Sequence, residues 1–274
     1  MSSAVKTHRT YFAPTWPSFG FPLHAERSKQ MIQSGAGRVN DKIHASEILG
    51  WETLSHRFIT ITERARTDEA FFIRHGATKY NERNLVSGQH NTSLSTKGKD
   101  EARRLRYFLP QKIDLIVCSE LRRSIETMTL SVPEELLQKI PVRSDFRLNE
   151  VHLGALQGKR RHHIGHFASG DLDFAPEGGE SYRQAARRVL SAVVDMFDAL
   201  ASTGSPPCTA VVFCHAGVLR IVSTLLAKQG KPKELFDTAY ANAQCLKIPA
   251  AEISLPSYWI RGGTGHRDTS KRSK

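Results

Sequence analysis

Ala70-Phe71-Phe72-Ile73-Arg74-His75-Gly76 carries the reading on which the fold turns. Four consecutive apolar residues are too short for a helix but of buried-strand length. Two basic side chains and a glycine follow at once, and a glycine lets the backbone come close to a ligand. Two further runs of this kind occur. Ile113 to Cys118 ends at Ser119, and Thr209 to Cys214 ends at His215. Helical periods lie between and around them. Ser95 can cap a helix running to about Leu109, with Ala102, Leu105, Phe108 and Leu109 on one face and Pro110 as its stop. Ser119 can cap a second helix, to about Leu130. Ala186, Val189, Val193, Phe197 and Leu200 mark the longest helix, from Glu180 to about Leu200. Val218 to Ala227 gives another, and residues 243–248 offer one more strand.

Strands alternating with helices predict an α/β three-layer sandwich, a mostly parallel central sheet with helices on both faces. In such folds the site lies beyond the carboxyl ends of the strands. His75, Ser119 and His215 all stand there, so loops from distant parts of the sequence converge on one crevice.

The remainder of the 274 residues reads less sharply. Residues 1–67 contain Pro14, Pro17 and Pro22 and no sustained period, although His44 to Arg57 suits a short helix. They read as a partly disordered N-terminal extension to a domain spanning 68–260. The Gly-, Lys- and Arg-rich residues 261–274 read as a disordered basic tail. Lys6, His8 and Arg9 precede aromatics and prolines rather than an apolar run, so no secretory signal is expected. The absence of acidic residues before Glu26 leaves an organellar transit peptide as the other option. No window suits a membrane span. The four cysteines show no metal or C-x-x-C spacing and read as reduced thiols of a cytoplasmic protein.

A net charge of +12 suits an anionic substrate, a nucleic acid or an acidic surface. The basic residues are spread along the chain with no aromatic-interleaved or zinc-finger pattern, which points away from nucleic acid.

Chemistry concentrates at the strand ends. A neutral imidazole at His75 can attack phosphorus and hold the group, splitting one difficult displacement into two. The transferring phosphoryl group needs several cationic or N–H donors around it. Arg122 and Arg123 open a helix after a strand, and a guanidinium grips two phosphate oxygens at once. His215, if protonated, would pair with a phosphate oxygen. Glu150 can protonate the leaving oxygen and later activate water. Lys159, Arg160, Arg161, His162, His163 and His166 form a basic cluster, either a second anion contact or a solvated loop.

Arg74-His75-Gly76-x-Thr78-x-x-Asn81, Ser119-x-Leu121-x-Arg123, Leu148-x-Glu150-x-x-x-Gly154, Pro176-x-Gly178-Gly179-Glu180-Ser181 and an apolar strand ending in His215 follow one another in order. Together they resemble the histidine phosphatase superfamily, the phosphoglycerate-mutase-like family, over roughly residues 69–250. The resemblance implies His75 as the phosphohistidine nucleophile, with Arg74, Arg123 and His215 completing the phosphate pocket. It implies Glu150 as general acid and base, with Asn81, Ser87 and Gly88 lining the pocket. Arg161 stands where the mutases carry a basic substrate contact. No metal or cofactor is implied, and the partner expected is a small phosphorylated substrate.

Phosphatase is favoured over cofactor-dependent mutase. Val151 replaces the arginine that mutases place after the catalytic glutamate, and Ala216-Gly217 replaces their Gly-Asn. The short stretch from Lys159 to Gly179 leaves a more open pocket. A catalytically inactive scaffold or a nucleic-acid-binding protein is the rival from another class. Arg122 reads as a surface charge, and His90 and His152 as structural residues.

Overall fold

The computed structural model describes residues 47–162, 170–203, 205–226 and 231–260. Its five strands are β1 (Glu69–Arg74), β2 (Leu115–Cys118), β3 (Val142–Ser144), β4 (Thr209–Cys214) and β5 (Cys245–Pro249). They form one sheet in the order β3-β2-β4-β1-β5. All neighbours pair in parallel except β5, which runs antiparallel to β1. Every residue of β2 and β4 is buried, the condition that makes such strands read as continuous apolar runs.

The helices that matter for the site are α1 (Trp51–Arg64), α2 (Lys79–Glu82), α3 (Thr96–Leu105), α4 (Arg122–Ser131), α5 (Glu134–Leu137), α6 (Tyr182–Leu200) and α7 (Ala216–Ser223). Short helices α8 (Glu234–Asp237) and α9 (Ser257–Ile260) follow. Alternate residues of the strands feed two cores. Ala70, Phe72 and Val212 join residues of α1, α6 and α7 in the larger one. Ile73, Ile116, Val211 and Phe213 join Leu105 and Met128, on α3 and α4, in the smaller. Helices therefore cover both faces, as the alternating sequence pattern implies. Among the described residues, no helix is long and apolar enough to cross a membrane.

Several local readings change. The helix capped by Ser95 ends at Leu105, and Phe108 is exposed rather than buried. Ser119 does not cap α4, which begins at Arg122 behind Leu121; its hydroxyl is committed to the site described below. β3 has no counterpart in the sequence reading.

Residues 47–67, grouped by sequence with the extension, are tied into the larger core. Leu54, Phe58 and Ile61 of α1 are buried there at a helical stride. Trp51 stacks on Trp259, centroids 6.4 Å apart. Leu49 N–H donates to Ser191 Oγ at 2.9 Å, and Arg57 pairs with Asp198. The remainder of the extension, the basic tail, and His163 and His166 of the basic cluster lie outside the described residues.

Emptying the space filled by Phe58, which is 2% exposed, tests whether α1 belongs to the cooperative unit. Phe58→Ala is expected to cost about 3–5 kcal/mol in the denaturant midpoint of the full chain. A loss below about 1 kcal/mol would separate α1 from the folding unit.

Candidate active site

His75 is the first residue beyond β1. Its N–H donates to the Cys214 carbonyl at 3.0 Å, and its own carbonyl accepts from Ala243 N–H and Asn242 Nδ2, both at 3.2 Å. The backbone is thus pinned from β4 and from the loop before β5. Gly76 continues into a turn lying directly on α3: a Cβ there would fall 2.3 Å from the Gly98 carbonyl oxygen. Nδ1 of His75 lies 2.7 Å from the Gly76 carbonyl oxygen. A carbonyl only accepts, so the ring proton sits on Nδ1 and the lone pair on Nε2. Nε2 in turn accepts from Arg123 Nε at 3.1 Å. Burial, reinforced by the charges of Arg123 and Arg74, holds the imidazole pKa well below the usual histidine range. The ring is neutral at neutral pH, as a nucleophile must be.

Arg123 is fully buried. Its Nη1 and Nη2 donate to the carbonyls of His90 and Gly88 at 2.8 and 2.7 Å. Burial lowers its pKa to about 10, and that of Arg74 likewise to about 10, so both stay charged at neutral pH. Arg74 donates through Nη1 to the Tyr240 carbonyl, while its buried Nε has no partner.

The His215 ring lies 5.2 Å from that of His75, centroid to centroid. Its Nε2 is 2.7 Å from Ser119 Oγ. The hydroxyl proton of Ser119 goes to Asn149 Oδ1 at 2.7 Å, an atom that also accepts from Glu120 N–H at 3.0 Å. Ser119 must therefore accept from His215, which places the ring proton on Nε2. The buried Nδ1 is left with a bare lone pair and no partner. Burial first, then Arg123 and His75, hold the His215 pKa well below its ordinary value. The protonated His215 of the sequence reading is thus not the state of the ligand-free site. An anion that used Nδ1 would have to bring a proton with it.

Glu150 projects toward the start of α7. Its Oε1 accepts from the N–H groups of Val151 and Gly217, each at 3.0 Å. Oε2 makes only a 3.3 Å contact with Gly217 N–H and is the freer oxygen. A Cβ on residue 217 would fall 2.3 Å from Oε1, so only glycine permits this approach. The Glu150 loop is clamped from α6 by Arg188. That side chain donates to the carbonyls of Arg147, Asn149 and Glu150 at 2.6, 2.7 and 3.0 Å. Glu180 holds Arg188 through Nε at 2.9 Å and also accepts from His152 N–H at 2.8 Å.

A cavity of about 310 Å³ opens in front of these groups. Arg74, His75, Asn81, Ser87, Gly88, Glu150 and Arg161 line it, and Arg123 and His215 reach it through His75. All the sequence-derived candidates are therefore brought together. Asn81 also serves locally, its Oδ1 accepting from Thr78 N–H at 3.0 Å. Ser87 Oγ is buried without a partner. Arg122 is exposed and pairs with Glu126 on its own helix. Sequence reading missed Arg220, Tyr182 and Phe236, which share the cavity wall, and Arg188, which supports it from behind.

A family profile, histidine phosphatase superfamily (branch 1), matches residues 70–252. The chain belongs to that superfamily. Glucosyl-3-phosphoglycerate phosphatase of Mycobacterium tuberculosis is 32% identical over 174 residues, 60% of this chain and 77% of that protein. Phosphoglycerate mutase 1 of Saccharomyces cerevisiae is 40% identical over 90 residues, but the match spans only 36% of the mutase and 32% of this chain. Among solved structures, a mycobacterial glucosyl-3-phosphoglycerate phosphatase in complex with VO3 superposes with a TM-score of 0.57 at 28% identity, over 68% of this chain and 95% of the other.

The forced tautomer of His215 has a measurable consequence. Sulfate mimics a phosphoryl dianion yet does not titrate near neutral pH, so any proton taken up on binding comes to the protein. Because the His215 pKa is depressed in the free site and an anion at Nδ1 would raise it, binding is expected to take up about one proton near pH 7.5 and to weaken as pH rises. Calorimetry in buffers of different ionisation enthalpy reads this directly. Retention of uptake in Glu150→Gln would assign it to the histidine, and zero uptake in the wild type would remove His215 from anion binding.

Proposed function

We propose that this protein is a phosphomonoester hydrolase working through a phosphohistidine on His75. One observation carries the reading: a buried, neutral His75 whose Nδ1 is fixed by the Gly76 carbonyl, leaving Nε2 as a lone pair beside Arg123 and the cavity. On substrate binding, the phosphoryl group enters between His75 and Arg123, whose Nε–H turns from the imidazole to an oxygen. The Nε2 lone pair attacks phosphorus, the P–O bond to the leaving group breaks, and that oxygen takes the proton of the Glu150 carboxyl. In the second half-reaction Glu150 takes a proton from water. The resulting hydroxide oxygen bonds to phosphorus, the P–N bond breaks, and inorganic phosphate leaves. Arg74, Arg123 and a protonated His215 hold the charge of the transferring group throughout. Asn81, Ser87 and Gly88 shape the pocket around it.

Hydrolysis is preferred to mutase transfer for two reasons. Val151 and Ala216-Gly217 depart from the mutase pattern at the two positions beside the acid and the second histidine. The similarity to the mycobacterial phosphatase also extends over most of that protein, whereas the mutase match spans about a third of the mutase. The substrate expected is a small phosphorylated metabolite. The four cysteines are all free and three are buried, which supports a reducing compartment such as the cytoplasm.

Incubation with a panel of phosphomonoesters, following free phosphate and positional exchange, tests this function. Phosphate release without exchange is expected; exchange that needs a bisphosphorylated primer would instead mark a mutase. His75→Ala is expected to reduce turnover by at least a thousandfold, on the order of the loss of a covalent nucleophile, with an unchanged circular dichroism spectrum. Glu150→Gln should slow alkyl phosphates about 100-fold or more but an activated aryl phosphate far less, because only the poor leaving group needs the acid. Equal losses on both substrates would take the acid role away from Glu150.

A further inference from the structure

The cavity holds more positive charge than one phosphoryl group calls for. Arg74, Arg161 and Arg220 line it and Arg123 stands behind His75, against the single carboxylate of Glu150. A phosphomonoester dianion neutralises two of the three excess charges and leaves one. None of these four arginines has an ion pair with a carboxylate among the described residues. The segment following His162, residues 163–169, contains no acidic residue either. Arg161 and Arg220 are near enough to Arg74 to help lower its pKa. Such mutual repulsion persists in a folded protein only where a ligand relieves it.

Arg220 is the informative member. It stands on α7 beyond His215, and its Nε is buried without a hydrogen-bond partner. Its guanidinium is hydrogen-bonded to the hydroxyl of Tyr182, the first residue of α6. A buried guanidinium N–H left unpaired costs more than an ordinary unmade hydrogen bond, and the fork geometry suits a planar or tetrahedral oxyanion. Orphaned buried atoms cluster at this site: Arg74 Nε, Ser87 Oγ, His215 Nδ1 and Arg220 Nε. The first three belong to groups assigned to the transferring phosphoryl group and its pocket. Arg220 remains, with Arg161 on the same cavity and the apolar side chains of Leu153 and Phe236 between polar walls.

We infer that Arg220, with Arg161, forms a second anion subsite, so that the substrate is a phosphomonoester bearing a further anionic group such as a carboxylate on its leaving-group side. This rests on the hydrolase reading for which phosphate is removed, but the subsite itself is a binding property. Arg220 then selects among substrates while His75 and Glu150 perform the chemistry.

The test compares 3-phosphoglycerate with glycerol 3-phosphate, which have the same three-carbon skeleton but differ in one carboxylate. The wild type is expected to favour 3-phosphoglycerate by about 10- to 100-fold, in kcat/KM and in calorimetric affinity, the range of one charge-assisted contact. Arg220→Met and, independently, Arg161→Met should each bring that ratio toward unity, while both variants still release phosphate from an aryl phosphate and keep the wild-type Tm within a few degrees. A bisphosphate probe distinguishes a second phosphate from a carboxylate as the preferred group; preference for either over glycerol 3-phosphate supports the subsite. Equal handling of the charged and uncharged partners by the wild type overturns it, as does a preference that survives both substitutions. If no phosphomonoester is turned over but the binding preference is present and lost on substitution, the hydrolase reading fails and the subsite stands.

Discussion

The parallel register of β1 against β4, with Arg74 opposite Cys214, is the constraint from which the site follows. Once these two strands are in register, the residues immediately beyond them face each other. The His75 N–H closes on the Cys214 carbonyl, and the two imidazoles come to rest 5.2 Å apart. Both strands are central and their ends are dry. That dryness keeps both rings neutral and gives each nearby guanidinium far more influence than it would have in water. The same backbone pairing that builds the core therefore sets the protonation states on which the chemistry depends.

The supporting shell is built mainly from backbone carbonyls. Arg123 is fixed by two of them, and Arg188 by three consecutive turns of the loop that carries Glu150. Arg147, in that loop, reaches Asp145, Asp195 and the carbonyl of Glu47. Glu180 closes the arrangement by binding Arg188 and the N–H of His152. Guanidinium groups suit this task because their donors are planar, rigid and permanently charged. The acid at Glu150 is thereby held from α6, from α7 and from the segment before α1.

The three central strands were legible because full burial on both faces writes a continuous apolar run, and because each run stops at a residue with a chemical task. β3 was not, since Val142-Arg143-Ser144 at the sheet edge has three residues and no side fully buried. α1 carries a visible stride in Leu54, Phe58 and Ile61, but Gly50 offers no side-chain cap, and the proline-rich stretch before it hides where the domain begins. Ser119 misled because a serine before a helix looks like a cap, while its hydroxyl is spent fixing His215. The motif residues that touch the phosphoryl group were read from sequence, since their order along the chain is itself informative. Arg188 and Arg220 were not assigned roles. On a helix each looks like one more solvated charge, and only burial and the direction of their donors separate them from that background.

The sheet order has a consequence for how the protein is made. β1, β2 and β3 leave the ribosome before β4, yet β4 lies between β1 and β2 and pairs with both. From Cys118 to Thr209 the nascent chain therefore carries two apolar ribbons that cannot yet meet, for on the order of ten seconds at ordinary elongation rates. During that interval β1 and β2 present open hydrogen-bonding edges of the kind that recruits chaperones or other chains. The strand that completes the catalytic pair is also the one that ends this exposure.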